Sequence, residues 1–158
     1  MRGLEIGGER SPAYPQYDQV DNVPDFGANI ICDAKHLAPV TSDTYDHVFA
    51  SNVLEHFSWR DTHYVLRSWF RVVKPGGYLE IIVPDVIGIL NDYRSGKDEW
   101  SHTVERIAGT QDYPGNTHKA FFTYAQLENQ VKVALPEATW VTTSLSHAGG
   151  GVRACISK

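Results

Sequence analysis

Between His47 and Val83 the spacing of the apolar residues changes twice, and this limits the folds open to the chain. His47–Ser51 (HVFAS) has strand character. Leu66, Trp69, Phe70 and Val73 then recur at helical spacing, forming one stripe suited to docking on a sheet. Tyr78–Val83 (YLEIIV), bounded by Gly76-Gly77 and Pro84-Asp85, is a buried strand. Ser58 with Asp61 reads as a capping box opening the helix, and Lys74-Pro75-Gly76-Gly77 reads as its stop. A strand, a crossover helix and a second strand require parallel pairing.

The same alternation extends outward and predicts an α/β, Rossmann-like, mostly parallel sheet. Leu4–Ile6, Tyr17–Val20 and Asn29–Cys32 are earlier strand candidates. Only about ten residues separate Gly8 from the second of these, too few for a normal crossover helix, so that helix is expected to be missing or reduced to a turn. After Asp85 the pattern gives helical pieces broken at Gly96 and near Gly109. Thr123 with Gln126 opens a further helix through Leu127, Val131 and Ala134. Thr139–Ser146 and Val152–Ser157, around Gly149–Gly151, predict a C-terminal antiparallel hairpin. A chain of 158 residues with this pattern is expected to be a single domain, residues 1–158.

In such a sheet ligands bind beyond the carboxyl ends of the strands. The residues there are Glu5 with Gly7-Gly8, Asp21, Asp33-Ala34, Ser51-Asn52 and Pro84-Asp85. Carboxylates at successive strand ends suit a ligand rich in hydroxyl and amine donors. The sequence contains neither a P-loop nor a GxGxxG, which argues for a nucleoside carrying little phosphate and makes an NAD-linked or nucleotide-sugar protein distant. The formal charge of −5 opposes binding to nucleic acid. No apolar run approaches membrane-spanning length and the first ten residues lack a signal-peptide core, so a cytoplasmic protein with no membrane partner is expected. Cys32 and Cys155 read as reduced core thiols.

The motifs LEIGG (Leu4–Gly8), DAKHL (Asp33–Leu37), YDHVFASNVLEHF (Tyr45–Phe57) and RVVKPGGYLEIIVPD (Arg71–Asp85), in this order, resemble those of class I S-adenosylmethionine-dependent methyltransferases. They are closest to the small type with LEH after the fourth strand and KPGG before the fifth, and HKAFFTYAQLENQV (His118–Val131) is similar to that group as well. The resemblance implies S-adenosylmethionine as cofactor and methyl transfer to a small-molecule, sugar or lipid acceptor. By the same resemblance Glu5, Gly7 and Gly8 would meet the methionine part, Asp21 the ribose hydroxyls, Asp33 with Ala34 the adenine edge, and Ser51 with Asn52 the sulfonium end. The motif departs from the family after Gly7, where Gly8-Glu9-Arg10-Ser11 replaces further glycines. Arg10 would then supply the positive charge facing the methionine carboxylate.

Each position also has a plainer structural reading. Asp21 and Asp33 suit turns as well as ligands. His56 and Glu55 are the catalytic candidates, with His56 placed to take a proton near neutral pH, or are simply packed residues. His118, Phe121 and Phe122 either line an acceptor site or close the sheet. His56 and His63 lack a partner at ligand spacing, so metal binding is not expected. A missing helix should uncover apolar sheet surface, which predicts a homodimer or another partner. The shortened first motif keeps open a different reading, a catalytically inactive cofactor-binding or partner-binding protein.

Overall fold

In a computed structural model of the chain, which describes residues 1–8, 11–146 and 150–158, a seven-stranded sheet runs in the order β3-β2-β1-β4-β5-β7-β6. The strands are β1 (Gly3–Ile6), β2 (Asp18–Asp21), β3 (Ile30–Ile31), β4 (Tyr45–Ser51), β5 (Val73–Pro84), β6 (Trp140–Ser146) and β7 (Gly151–Ser157). β1 to β5 pair in parallel, and β7 pairs antiparallel with both β5 and β6. The helices are α1 (Thr62–Arg71), α2 (Val86–Arg94), α3 (Trp100–Ala108) and α4 (Tyr124–Ala134). The expected parallel sheet and terminal hairpin are present, although Gly149 of the hairpin turn lies outside the described residues. No helix among the described residues is long and apolar enough to cross a membrane.

Register explains where the core lies. Leu4, Val48, Leu79 and Ile156 face one another across four strands, and Ile6, Ala50, Ile81 and Ala154 form the next row. All are buried in one cluster with Leu66, Trp69 and Phe70 of α1 and Leu127 and Val131 of α4. The Thr123 cap is as expected, its hydroxyl accepting the Gln126 amide at 3.3 Å. The Ser58–Asp61 box is not formed. Residues 58–61 make a turn, α1 begins at Thr62, and Asp61 pairs instead with Lys35 at 2.9 Å. Nor do the KPGG residues stop the helix, which ends at Arg71. They form an excursion within β5, where pairing jumps from Tyr45–Val73 to His47–Tyr78. A Cβ on Gly77 would sit 2.6 Å from the Asp46 carbonyl, so only glycine fits this close approach.

The opposite face shows how the fold manages without its first helix. Among the described residues no helix lies between β1 and β4 beyond a 3-10 turn at Pro24–Phe26. Glu5 holds the intervening loop, accepting the Ala13 and Tyr14 amides, both at 2.8 Å. Tyr14 stacks on Tyr17 with ring centroids 4.6 Å apart and meets Phe49 edge-on. Tyr17 hydrogen-bonds His47 Nδ1 at 3.0 Å, His47 Nε2 lies 3.3 Å from Glu80, and Glu80 pairs with Arg153 at 2.9 Å. Burial opposes the Glu80 charge, but His47 and Arg153 outweigh it and hold the carboxyl below its usual range. On this face the loop's aromatic rings and a paired polar chain occupy the place of the missing helix.

On the α1 side the 33–40 loop is likewise fixed without a helix of its own. The Trp69 indole N–H donates to the Ala34 carbonyl at 2.8 Å, and the Arg71 guanidinium donates to the Leu37 and Val40 carbonyls. Trp69 is fully buried, so shortening it opens a void and strands a carbonyl. Trp69→Phe is expected to cost at least about 2 kcal/mol, read as a lower urea midpoint. A loss below about 0.5 kcal/mol would show that the loop is held some other way.

Candidate functional site

The carboxyl ends of β1, β2, β3 and β4 surround a cavity of about 210 Å³. Its lining includes Gly7, Asp21, Asp33, Ala34, Asn52 and His56, so six of the residues singled out in the sequence converge there. Each has a local reason to be in place. Gly7 has φ +70°, and a Cβ on it would lie 2.5 Å from Val53 Cγ2, so the β1 turn and the β4 exit touch only because this side chain is absent. Asp21 Oδ1 accepts the Val23 amide and Asp33 Oδ1 accepts the Lys35 amide, each closing its own turn. The turn reading of these acids is therefore correct, and the same geometry places both carboxylates on the cavity wall.

Two more cavities adjoin this one. A space of about 420 Å³ is lined by Glu5, Gly7, Gly8, Phe49, Ser51 and Asn52. Glu5 reaches it with a carboxylate already committed to Ala13 and Tyr14, so its observed work is to hold the loop. Arg10 lies outside the described residues. A space of about 500 Å³ is lined by Ser51, Asn52, Glu55, Ile89, Arg106 and His118. All three cavities share Asn52, a non-glycine residue at φ +54° whose amide donates to the Ile82 carbonyl at 2.9 Å. Left-handed backbone at a bulky residue is uncommon, and asparagine is among the types that tolerate it.

Glu55 is almost fully buried in a 3-10 turn at Leu54–His56. Among the described residues neither of its carboxylate oxygens has a hydrogen-bond partner. Its backbone carbonyl accepts the Lys119 and Ala120 amides at 2.7 and 3.1 Å, which draws His118 alongside. His118 Nε2 is 4.0 Å from Glu55 Oε1, and the His56 and His118 rings meet edge-on with centroids 4.9 Å apart. Burial, then the facing His56, hold the His118 imidazole below its usual range. The reading that found no ligand partner for His56 compared it with His63, whereas the fold groups it with Glu55 and His118. Arg106, also on the wall and bridging Asp92 and Asp98, was missed because α3 carries no motif. Phe121 and Phe122 do not line the large cavity but, with Glu55 and His118, line a small cleft that shares those residues with it.

Burial raises the Glu55 carboxyl from 4.5 to about 8. Between those values the folded chain keeps a proton that the unfolded chain has lost, so stability falls as pH rises and levels off above the upper value. The slope is at most about 1.4 kcal/mol per pH unit. In chelator-containing buffer, urea unfolding of Glu55→Gln should show a visibly shallower pH slope than the parent. Parallel slopes would contradict this ionisation.

Residues 14–81 match the model of a family described as a methyltransferase domain. A search of the curated proteins found no significant match. Among solved structures, a SAM-dependent methyltransferase from Archaeoglobus fulgidus superposes with a TM-score of 0.69 at 15% identity, over 99% of this chain and 86% of that one. One from Thermotoga maritima gives 0.68 at 19%, over 99% and 82%. DhpI, in complex with SAM and HEP, gives 0.63 at 18%, over 99% and 78%. Residues 14–81 thus match a methyltransferase-domain model, and the whole chain shares the fold of these SAM-dependent methyltransferases.

Proposed function

We propose that the chain is an S-adenosylmethionine-dependent methyltransferase acting on a small-molecule, sugar or lipid acceptor. The observation that carries the reading is the meeting of the three cavities at Asn52. The first, at about 210 Å³, is smaller than the roughly 300–1,000 Å³ of drug-sized ligand sites, so a nucleoside occupying it must extend beyond it. The second cavity, at Gly7, Gly8 and Ser51, takes the amino-acid end, and the third takes the acceptor.

The residues fit the cofactor by their chemistry. Asp21 and Asp33 accept hydrogen bonds from hydroxyl and amine groups, and a net charge of −5 favours a sulfonium over a polyphosphate. Bound there, the cofactor supplies a methyl carbon that forms its new bond to an acceptor oxygen, nitrogen or carbon as the carbon–sulfur bond breaks and its electron pair goes to sulfur. The chain's own task is alignment and exclusion of water. Ser51 and Asn52 hold the passage between cofactor and acceptor cavities, and Glu55, His56 and His118 receive the acceptor's polar end.

Thermal shift with four nucleotides tests the cofactor. S-adenosylmethionine and S-adenosylhomocysteine should raise the melting temperature, NAD and ATP should not, and Asp21→Ala should weaken the response at least about tenfold in ligand concentration. Failure of both sulfur nucleosides to stabilise the protein would rule the reading out.

A further inference from the structure

The Glu55 carboxylate poses a problem that methyl transfer alone does not solve. Both oxygens are buried without a hydrogen-bond partner among the described residues, an arrangement that costs several kcal/mol unless an opposite charge or a proton meets them. The groups facing it are imidazoles. His118 Nδ1 lies 3.0 Å from the Ile107 carbonyl. A carbonyl only accepts, so Nδ1 carries the proton and Nε2, turned toward Glu55, carries the lone pair. His56 Nδ1 faces the Thr117 carbonyl in the same way at 3.4 Å. A backbone carbonyl that takes the N–H of one ring nitrogen, leaving the lone pair on the other, is the usual outer support of a metal-bound histidine.

One donor atom from each of Glu55, His56 and His118 lies within 4.8 Å of the others. We propose that these three side chains bind one divalent transition-metal ion, Zn²⁺ by the chemistry of the donors, in the wall between the cofactor and acceptor cavities. Bonds of about 2.0–2.2 Å place donors around a tetrahedral ion about 3.3 Å apart, so binding draws each side chain inward by under about 1 Å. Two imidazoles and one carboxylate suit zinc rather than magnesium, which prefers all-oxygen shells. Three protein ligands leave a fourth position for a small molecule. The position of the ion relative to the acceptor rests on the methyl-transfer reading. There an acceptor hydroxyl bound to the ion loses its proton to solvent more readily, and the resulting oxyanion attacks the methyl carbon.

Titration calorimetry on the full chain, stripped with chelator, tests this with Zn²⁺, Co²⁺ and Mg²⁺ as separate titrants. Zn²⁺ and Co²⁺ should bind one per chain, Co²⁺ with visible bands of a low-coordinate nitrogen-ligated ion. Glu55→Gln, which keeps the side-chain shape, and His118→Ala should each weaken binding about 100-fold or more, whereas His36→Ala, at a histidine bonded to Tyr64 and outside the cluster, should not. Absence of stoichiometric binding, preference for Mg²⁺, or equal affinity in the variants overturns the proposal. S-adenosylhomocysteine titrated into the same samples reports the cofactor site separately. Binding of the nucleoside without the cation overturns only the ion, and binding of the cation without the nucleoside overturns only its place in methyl transfer.

Discussion

The contact between Gly7 and Val53 governs the site. A single added carbon at Gly7 would collide with Val53 at 2.5 Å, so the β1 turn and the β4 exit are packed to the limit that glycine permits. Beside Val53, Asn52 takes its left-handed turn with its amide donating to the Ile82 carbonyl, and it is the residue shared by the three cavities. The parallel ladder from β1 to β4 to β5 sets the direction of both exits, because Ile6, Ala50 and Ile81 are in register and the chain leaves each strand at the same rim.

Around that point the fold replaces missing helices with hydrogen bonds to backbone. Glu5 gathers two amides where a crossover helix would have paired them internally. Trp69 and Arg71, both on α1, hold three carbonyls of the 33–40 loop. A buried carboxylate or guanidinium satisfied by backbone groups fixes a loop about as firmly as a capped helix end, since leaving those groups unpaired costs about 1–3 kcal/mol each. One side chain can therefore stand in for an element, provided that it projects from a rigid strand or helix.

This explains which parts of the molecule were legible in the sequence. The strands and the acidic turns at their carboxyl ends were readable because they depend on local chemistry. YLEIIV has strand composition, and Asp21 and Asp33 close turns whose offsets are visible in the chain. Asp61 was misread as the capping-box partner of Ser58 because Lys35, its actual partner, is distant in sequence. The KPGG glycines were read as a helix stop, whereas Gly77 makes a close approach to the Asp46 carbonyl, which no local pattern reveals. The grouping of Glu55 and His56 with His118 depends on Lys119 and Ala120 donating to the Glu55 carbonyl, a long-range backbone contact. The polar chain through His47, Glu80 and Arg153 was hidden for the same reason, since a diagonal across three strands has no sequence period.

The claim that one rim of the sheet forms a divided cradle for an adenosyl sulfonium is tested most directly by amide chemical-shift mapping with S-adenosylhomocysteine. The account predicts saturable shifts concentrated at Gly7, Asp21, Asp33, Ala34 and Asn52. Shifts confined to the opposite rim, around Arg2, Pro39 and Thr44, would contradict it.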